Sequence, residues 1–344
     1  MTSAWQDFLL ERGASVEVDA VGHFGNAAAE LRAARDGGIV APLTHLGLIA
    51  CSGEDAQTFL HGQLSNDVKG LAPERSEYAA YCSAKGRMLA NFLLWQEGNA
   101  YYLQLARSLL PATQKRLAIY VLRAKVKLGD ASDSRPVLGL AGSAAAGALR
   151  ELFPALPREA HQVVHDPVNG TLIALPGERF QLIAELESAK RLWHKLAQVL
   201  TPVGTPCWEW LEIRNGLPLL TPATREQFVP QMANMELIGA VNFQKGCYPG
   251  QEIIAHTQHL GQLKRRMVLA HVAGEVMPQP GDELFSSAPD GQASGMVVNA
   301  QAAPDGGYDL LGVIQQAADN TQAAVHFNSA NGPTLSIQPL PYPL

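Results

Sequence analysis

Apolar and polar positions along the chain switch between a period near two and a period near 3.6, and the switches mark its elements. Leu43 to Cys51 is a short apolar run bounded by Pro42 and Ser52-Gly53, which predicts a strand. Ser52, with Asp55 three residues later, predicts a capped helix through Ala56, Phe59, Leu60 and Leu64. Gln63 to Asp67 ends that helix. Tyr78 to Ser83 and Arg87 to Trp95 predict a hairpin that turns at Ala84-Lys85-Gly86. Asn99 to Leu105 predicts a strand, Ser108 to Ile119 a helix with Pro111 in its first turn, and Ala124 to Gly129 a further strand. A second round begins at Arg135. Val137 to Ala141 predicts a strand, and an Ala-rich helix follows to Leu152. Strands are expected near 162–165, 171–175 and 179–184, then a helix from Ser188 to Leu200 with Leu192, Trp193, Leu196 and Leu200 on one face. Leu138-Gly139-Leu140 echoes Leu46-Gly47-Leu48, which hints at two related α/β halves.

Trp208 to Ile213 fits a helix or a strand. Leu219 to Gln231 is irregular, with Pro222 and Pro230, and a long irregular stretch inside a domain often serves function. Past Gly261 the character changes. Short strands are expected at Met267–Val272, Glu283–Ser286, Gly291–Asn299, Tyr308–Ile314, Ala323–Phe327 and Thr334–Gln338. Strands of this length and spacing predict a small antiparallel barrel or sandwich. The expected division is an N-terminal appendage over 1–40, two α+β subdomains over 41–262 and a β-barrel over 263–344.

Composition narrows the function classes. The chain has 344 residues, 47% of them hydrophobic and 17% charged, enough to bury sizeable cores. The net charge is −6, and no cationic run is longer than Lys264-Arg265-Arg266, which argues against a protein that coats nucleic acid broadly. The four cysteines, Cys51, Cys82, Cys207 and Cys247, form no C-x-x-C pair. Neither a disulfide framework nor a zinc ribbon is indicated, and reduced thiols in a cytoplasmic protein are expected. The first residues lack an apolar signal core, and no run approaches the roughly 20 apolar residues that span a membrane.

The segment with the most chemistry is Lys245-Gly246-Cys247-Tyr248-Pro249-Gly250-Gln251-Glu252. Its Pro-Gly pair predicts a turn. A thiol held at a turn beside a lysine and free N–H groups favours the thiolate, so Cys247 is a candidate functional thiol, against the alternative of a buried structural cysteine. His256 and His259 follow nine and twelve residues later, but no fourth ligand is evident, and no metal site is expected.

This octapeptide resembles the signature of the YgfZ family, folate-dependent relatives of the glycine-cleavage T-protein (aminomethyltransferase). Phe228-Val229-Pro230-Gln231, Asn234 and Asn242-Phe243 resemble its lead-in. Gly53 to Phe59, Gln63 and Asp67 resemble its first helix, and Lys85-Gly86-Arg87 its hairpin turn. Gly261 with Lys264-Arg265 resembles the exit into the barrel, and the C-terminal Pro339-Leu340-Pro341-Tyr342 is similar as well. The resemblance spans about residues 40–344.

The resemblance implies a T-protein-like α+β fold: a ring of two α+β subdomains and a C-terminal antiparallel barrel around a central cavity that binds a reduced folate such as tetrahydrofolate. It implies support of iron–sulfur cluster assembly or repair and of cluster-dependent tRNA modification. Trp208 would stack on the pterin. Glu212 and Arg214 would face its hydrogen-bonding edge if that segment is extended, with Gln231 and Asn234 in the motif that lines the site. Lys85, Arg87 or Arg265 would receive the anionic glutamate tail. Lys245 would help ionise Cys247, Tyr248 would orient the thiol or pack beneath it, and Gln251 and Glu252 would cap the turn through its N–H groups. One cysteine cannot hold a cluster, so no resident metal or cluster is expected, and contact with iron–sulfur enzymes or cluster carriers would be transient. A monomer is expected, and a direct tRNA contact is left open.

Arg87 to Trp95 departs from the aminomethyl-transferring relatives, because it lacks the aspartate they place after the hairpin glycine. Without that carboxylate, the folate nitrogen has no activating group. A one-carbon transferase is therefore the second reading, and a non-catalytic, folate-regulated scaffold the third.

Overall fold

The computed structural model describes residues 3–18, 20–259, 263–286, 293–316 and 324–344. The chain divides into two compact units, one of 1–57, 70–77 and 93–208, the other of 58–69, 78–92 and 209–344. The expected barrel boundary and Gly261 fall at 260–262, outside the described residues, as does the start of the strand expected at Gly291.

The first unit contains a six-stranded sheet in the order Val163–Asp166, Gly170–Leu175, Arg179–Ile183, Val137–Ala141, Ile39–Pro42, Thr201–Pro202. Its pairs are antiparallel except the last, which is parallel. Leu46–Ser52 pairs with both Ala100–Ala106 and Lys127–Asp130. The echoed tripeptides have one physical meaning. A Cβ on Gly139 would lie 2.5 Å from the Trp208 ring, and one on Gly47 would lie 2.6 Å from Leu110, so each glycine lets a helix close onto its strand.

Residues 3–36, expected as an appendage, are instead part of this unit's core. Helix Ala4–Leu10 is fixed by a complete capping box between Ser3 and Gln6. It buries Trp5, Phe8 and Leu9, with Trp5 edge-on to Trp193 at 6.2 Å. The amphipathic face of helix Leu186–Leu196 supplies Trp193, so two sequence-remote stripes close on each other. Asp55, expected in a capping box, accepts the Lys125 N–H instead, at 2.8 Å.

In the second unit, the C-terminal strands form a curled antiparallel sheet, a half-barrel. Their order is Val325–Phe327, Glu283–Ser286, Ala293–Ala302, Tyr308–Gln315, Arg265–Val272, Ser336–Gln338. Leu284, Val297, Leu310 and Phe327 are among the side chains that fill it. The rest of the unit is the hairpin over 78–92, the segment 58–69, which begins in helix Ala56–His61, and the chain from Glu209 through helix Gln251–His259. No helix among the described residues is long and apolar enough to cross a membrane.

Candidate functional site

The thiol-bearing turn is strapped from two sides. Gly250 has φ +81°, and a Cβ there would lie 2.5 Å from the Ser83 carbonyl oxygen and 2.7 Å from the Gly86 Cα. Gly86 itself has φ +70° and closes the hairpin, where Ser83 N–H donates to the Arg87 carbonyl at 2.8 Å. The Lys-Gly-Arg turn and the Pro-Gly turn, 164 positions apart by number (250 − 86), thus meet backbone to backbone.

On the other side Lys245 is buried, and its ammonium donates to the carbonyls of His61 and Leu64, the latter at 2.7 Å. The His61 carbonyl is the last of helix Ala56–His61, where carbonyls lack intrahelical partners and cations are favoured, and Leu64 follows three residues on. The same ammonium lies 5.0 Å from the centre of the Tyr248 ring. Lys245 is therefore a strut between helix end and turn. Tyr248 is buried and packs beneath the turn, and desolvation raises its hydroxyl pKa. Gln251 caps the turn with the opposite polarity to the one expected: its amide donates to the Lys245 carbonyl at 3.3 Å. Glu252 opens helix Gln251–His259 in its first turn.

Beside the turn stands His61, with Nδ1 3.2 Å from the Asp67 carboxylate. Burial and the Lys245 ammonium hold its pKa below the ordinary imidazole value. The open side of Gly246 faces it, since a Cβ there would lie 3.5 Å from His61 Nε2.

The lead-in segment is a hydrogen-bonded frame. Ser65 Oγ donates to the Ala240 carbonyl at 2.6 Å and accepts from the Ala80 N–H at 2.8 Å. Asn66 bridges the carbonyls of Tyr78 and Gly239 at 2.8 and 2.7 Å. Gln231 donates to the Ile254 carbonyl at 2.7 Å, while its Oε1 is buried with no partner. Asn234, in the left-handed region at φ +56°, donates to the Met267 carbonyl at 2.9 Å and accepts from Arg266 at 3.2 Å. Arg266 also forms an ion pair with Glu236, whose side chain is 7% exposed. Gln231 and Asn234 are themselves buried and position the loop.

Cys247 is exposed, whereas the other three cysteines are buried. Desolvation pushes the thiols of Cys51 and Cys207 up to about 12 and raises Cys82 as well. Lys85 is exposed at the hairpin tip, and half-buried Arg87 donates to the Gln227 carbonyl.

Helix Thr205–Arg214 carries the chain from the first unit into the second. Its helicity overturns the pairing of Glu212 with Arg214, because residues two apart on a helix do not share a face. Arg214 turns to Gln338 and to Asp309 at 3.7 Å, and Trp210 Nε1 and His271 meet the same aspartate at 2.9 Å each. Glu209, one turn before Glu212, is the residue on its face. Trp208 is 0% exposed. Gly139 lies against its indole and the Arg179 guanidinium 5.2 Å over it, so it is a core residue and offers no free ring face to a pterin.

The GCVT N-terminal domain family matches residues 19–245. The tRNA-modifying protein YgfZ of Photorhabdus laumondii is 31% identical over 300 residues, covering 87% of this chain and 90% of that protein. The chain belongs to the YgfZ family. The YgfZ of Yersinia pseudotuberculosis is 33% identical over 302 residues, covering 86% and 90%. The aminomethyltransferase of the Bartonella henselae glycine cleavage system superposes with a TM-score of 0.76 at 18% identity, covering 97% and 96% of the two chains, which establishes the T-protein-like fold of this YgfZ-family chain.

Three residues of this YgfZ-family chain escaped the sequence reading: His61, Glu236 and Glu209. The last could have been found by reading 205–214 as a helix and marking acids three apart. Desolvation, reinforced by Glu212, raises the Glu209 carboxyl from 4.5 to about 7, while Gln301 donates to it at 2.6 Å. The folded chain therefore keeps a proton that the unfolded chain releases as pH rises from 4.5 towards 7. The resulting stability is full below that window and lost across it. Glu209→Gln should match the parent near pH 4.5 and exceed it at pH 8, by about 1–3 kcal/mol, in urea unfolding at the two pH values. Equal offsets at both would mean that Glu209 holds its proton no more tightly in the fold than in the unfolded chain.

Proposed function

We propose that this chain is a folate-binding accessory protein that supports iron–sulfur cluster assembly or repair for cluster-dependent tRNA modification, with Cys247 as its working thiol. The observation that carries the reading is the contrast among cysteines: one exposed thiol on a doubly strapped turn, three buried and desolvated. A soft thiolate there can bind an iron of an incoming cluster, or attack the outer sulfur of a partner's persulfide and take that sulfur while the partner's thiolate leaves. The relatives' designation as tRNA-modifying proteins supports the placement in tRNA modification.

Folate chemistry fits part of the chain. A pterin edge presents N–H donors, and Glu209 and Glu212 offer carboxyl groups one helical turn apart. Lys85 and Arg87 would receive the glutamate tail, and Trp208 takes no part in stacking. When bound, a reduced folate supplies a one-carbon carrier. The first acid after Gly86 on the hairpin is Glu97, so aminomethyl transfer lacks its carboxylate here, and the transferase reading is not favoured.

Calorimetric titration with 5-formyltetrahydrofolate tests the ligand. Saturable binding is expected, weakened at least about fivefold by Glu212→Gln or Arg87→Ala, each a charge-assisted contact. Absence of binding to the parent protein would remove folate from the proposal.

A further inference from the structure

One stretch of the first unit carries cations and no acids in its sequence. Residues 107–129 contain Arg107, Lys115, Arg116, Arg123, Lys125 and Lys127 and no Asp or Glu, in a chain whose net charge is −6. Two of these cations are neutralised locally, Arg107 by Asp133 at 2.7 Å and Lys125 by Glu54 at 2.6 Å. Lys115, Arg116, Arg123 and Lys127 have no ion-pair partner among the described residues.

Within the same stretch, the end of helix Leu110–Ile119 and the turn after it expose apolar side chains. Ile119 is 64% exposed, Tyr120 43% and Leu122 87%. Leu122 also has φ +48°, a left-handed conformation that a leucine adopts at a cost. Exposure and strain together give Leu122 no evident role in folding stability, and strain of this kind collects at functional positions.

We propose that this basic, apolar-tipped surface docks structured RNA of the tRNA class. The inference rests on the tRNA-modification reading above. The four unpaired cations would take backbone phosphates and release their counterions. Tyr120 would stack on an unpaired base, as aromatic side chains do in RNA loops, and Ile119 and Leu122 would wedge against base faces. The absence of acids across the whole stretch favours a phosphate backbone over a protein partner, since the cores of protein interfaces are depleted in charged residues.

The test uses the full-length protein and unfractionated tRNA, with binding followed by fluorescence anisotropy across a salt series. Lys115→Glu/Arg123→Glu should weaken binding at least about tenfold and lower the slope of log Kd against log salt by roughly 1.5, the loss of two phosphate contacts. Lys195→Glu, an exposed charge reversal elsewhere on the first unit, should change affinity less than about twofold. Leu122→Asn, which accepts the left-handed backbone, should weaken binding about threefold or more with little change in salt slope. The proposal is overturned if the double variant and Lys195→Glu behave alike, or if the parent binds no tRNA while still binding 5-formyltetrahydrofolate. An apolar-tip effect on a protein partner with no effect on tRNA would reassign the surface to that partner. Loss of both tRNA and folate binding in the parent would indict the underlying reading instead.

Discussion

Gly250→Ala should destabilise the second unit by about 3 kcal/mol or more, the largest effect expected of any single methyl group near the site. Two costs combine. A Cβ at φ +81° meets the left-handed penalty of roughly 1–2 kcal/mol. The same Cβ would stand 2.5 Å from the Ser83 oxygen and 2.7 Å from the Gly86 Cα, both backbone atoms, so no side chain can swing aside. The turn must lift off the hairpin, and the thiol moves with it. Gly246→Ala is the internal control. Its φ is ordinary and its nearest neighbour is His61 Nε2 at 3.5 Å, normal contact, so its stability should stay within about 0.5 kcal/mol of the parent. Urea unfolding of the two variants separates them. Equal stabilities would mean that the hairpin–turn contact does not hold the site together.

That contact shows how far the sequence could be read. Gly86 and Gly250 were each legible as turn residues, because glycine beside lysine or proline has few other uses. Their meeting was not, since nothing local links positions so far apart. Trp208 to Ile213, in helix Thr205–Arg214, stayed open between helix and strand for another reason. Cys207, Trp208, Trp210 and Ile213 are all buried, so its apolar positions surround the axis and leave no stripe to count. The extended alternative then paired Glu212 with Arg214 and hid Glu209. Trp208 looked like a stacking platform because a tryptophan's burial is invisible in sequence; only the glycine at 139 hinted that something large lay against that strand. The strut role of Lys245 was not legible, since its partners are main-chain carbonyls that carry no residue identity. The N-terminal helix is spelled locally, by Ser3 and Gln6 for its cap and Trp5 and Phe8 for its buried face, but what that face packs against is not.

Thiol chemistry should divide the four cysteines one to three. With Ellman's reagent at pH 8, the native protein should release one fast equivalent, assigned to Cys247, and the other three only on denaturation. Two effects make the gap wide. Cys51, Cys82 and Cys207 are buried from the reagent. At that pH, thiols held near 12, as Cys51 and Cys207 are, exist as thiolate in only about one molecule in ten thousand. The fast and slow phases should therefore differ by at least about a hundredfold. Cys247→Ser should abolish the fast equivalent and leave unfolding unchanged, since an exposed side chain carries little packing. In a deletion strain the same variant should fail to restore a cluster-dependent tRNA-modifying activity. The two readouts together are what separate mechanism from scaffold. A folded Cys247→Ser protein that still binds folate yet restores nothing makes the thiol the working group. One that restores activity fully would leave the turn, its lysine strut and its paired glycines as a docking shape in which sulfur has no part.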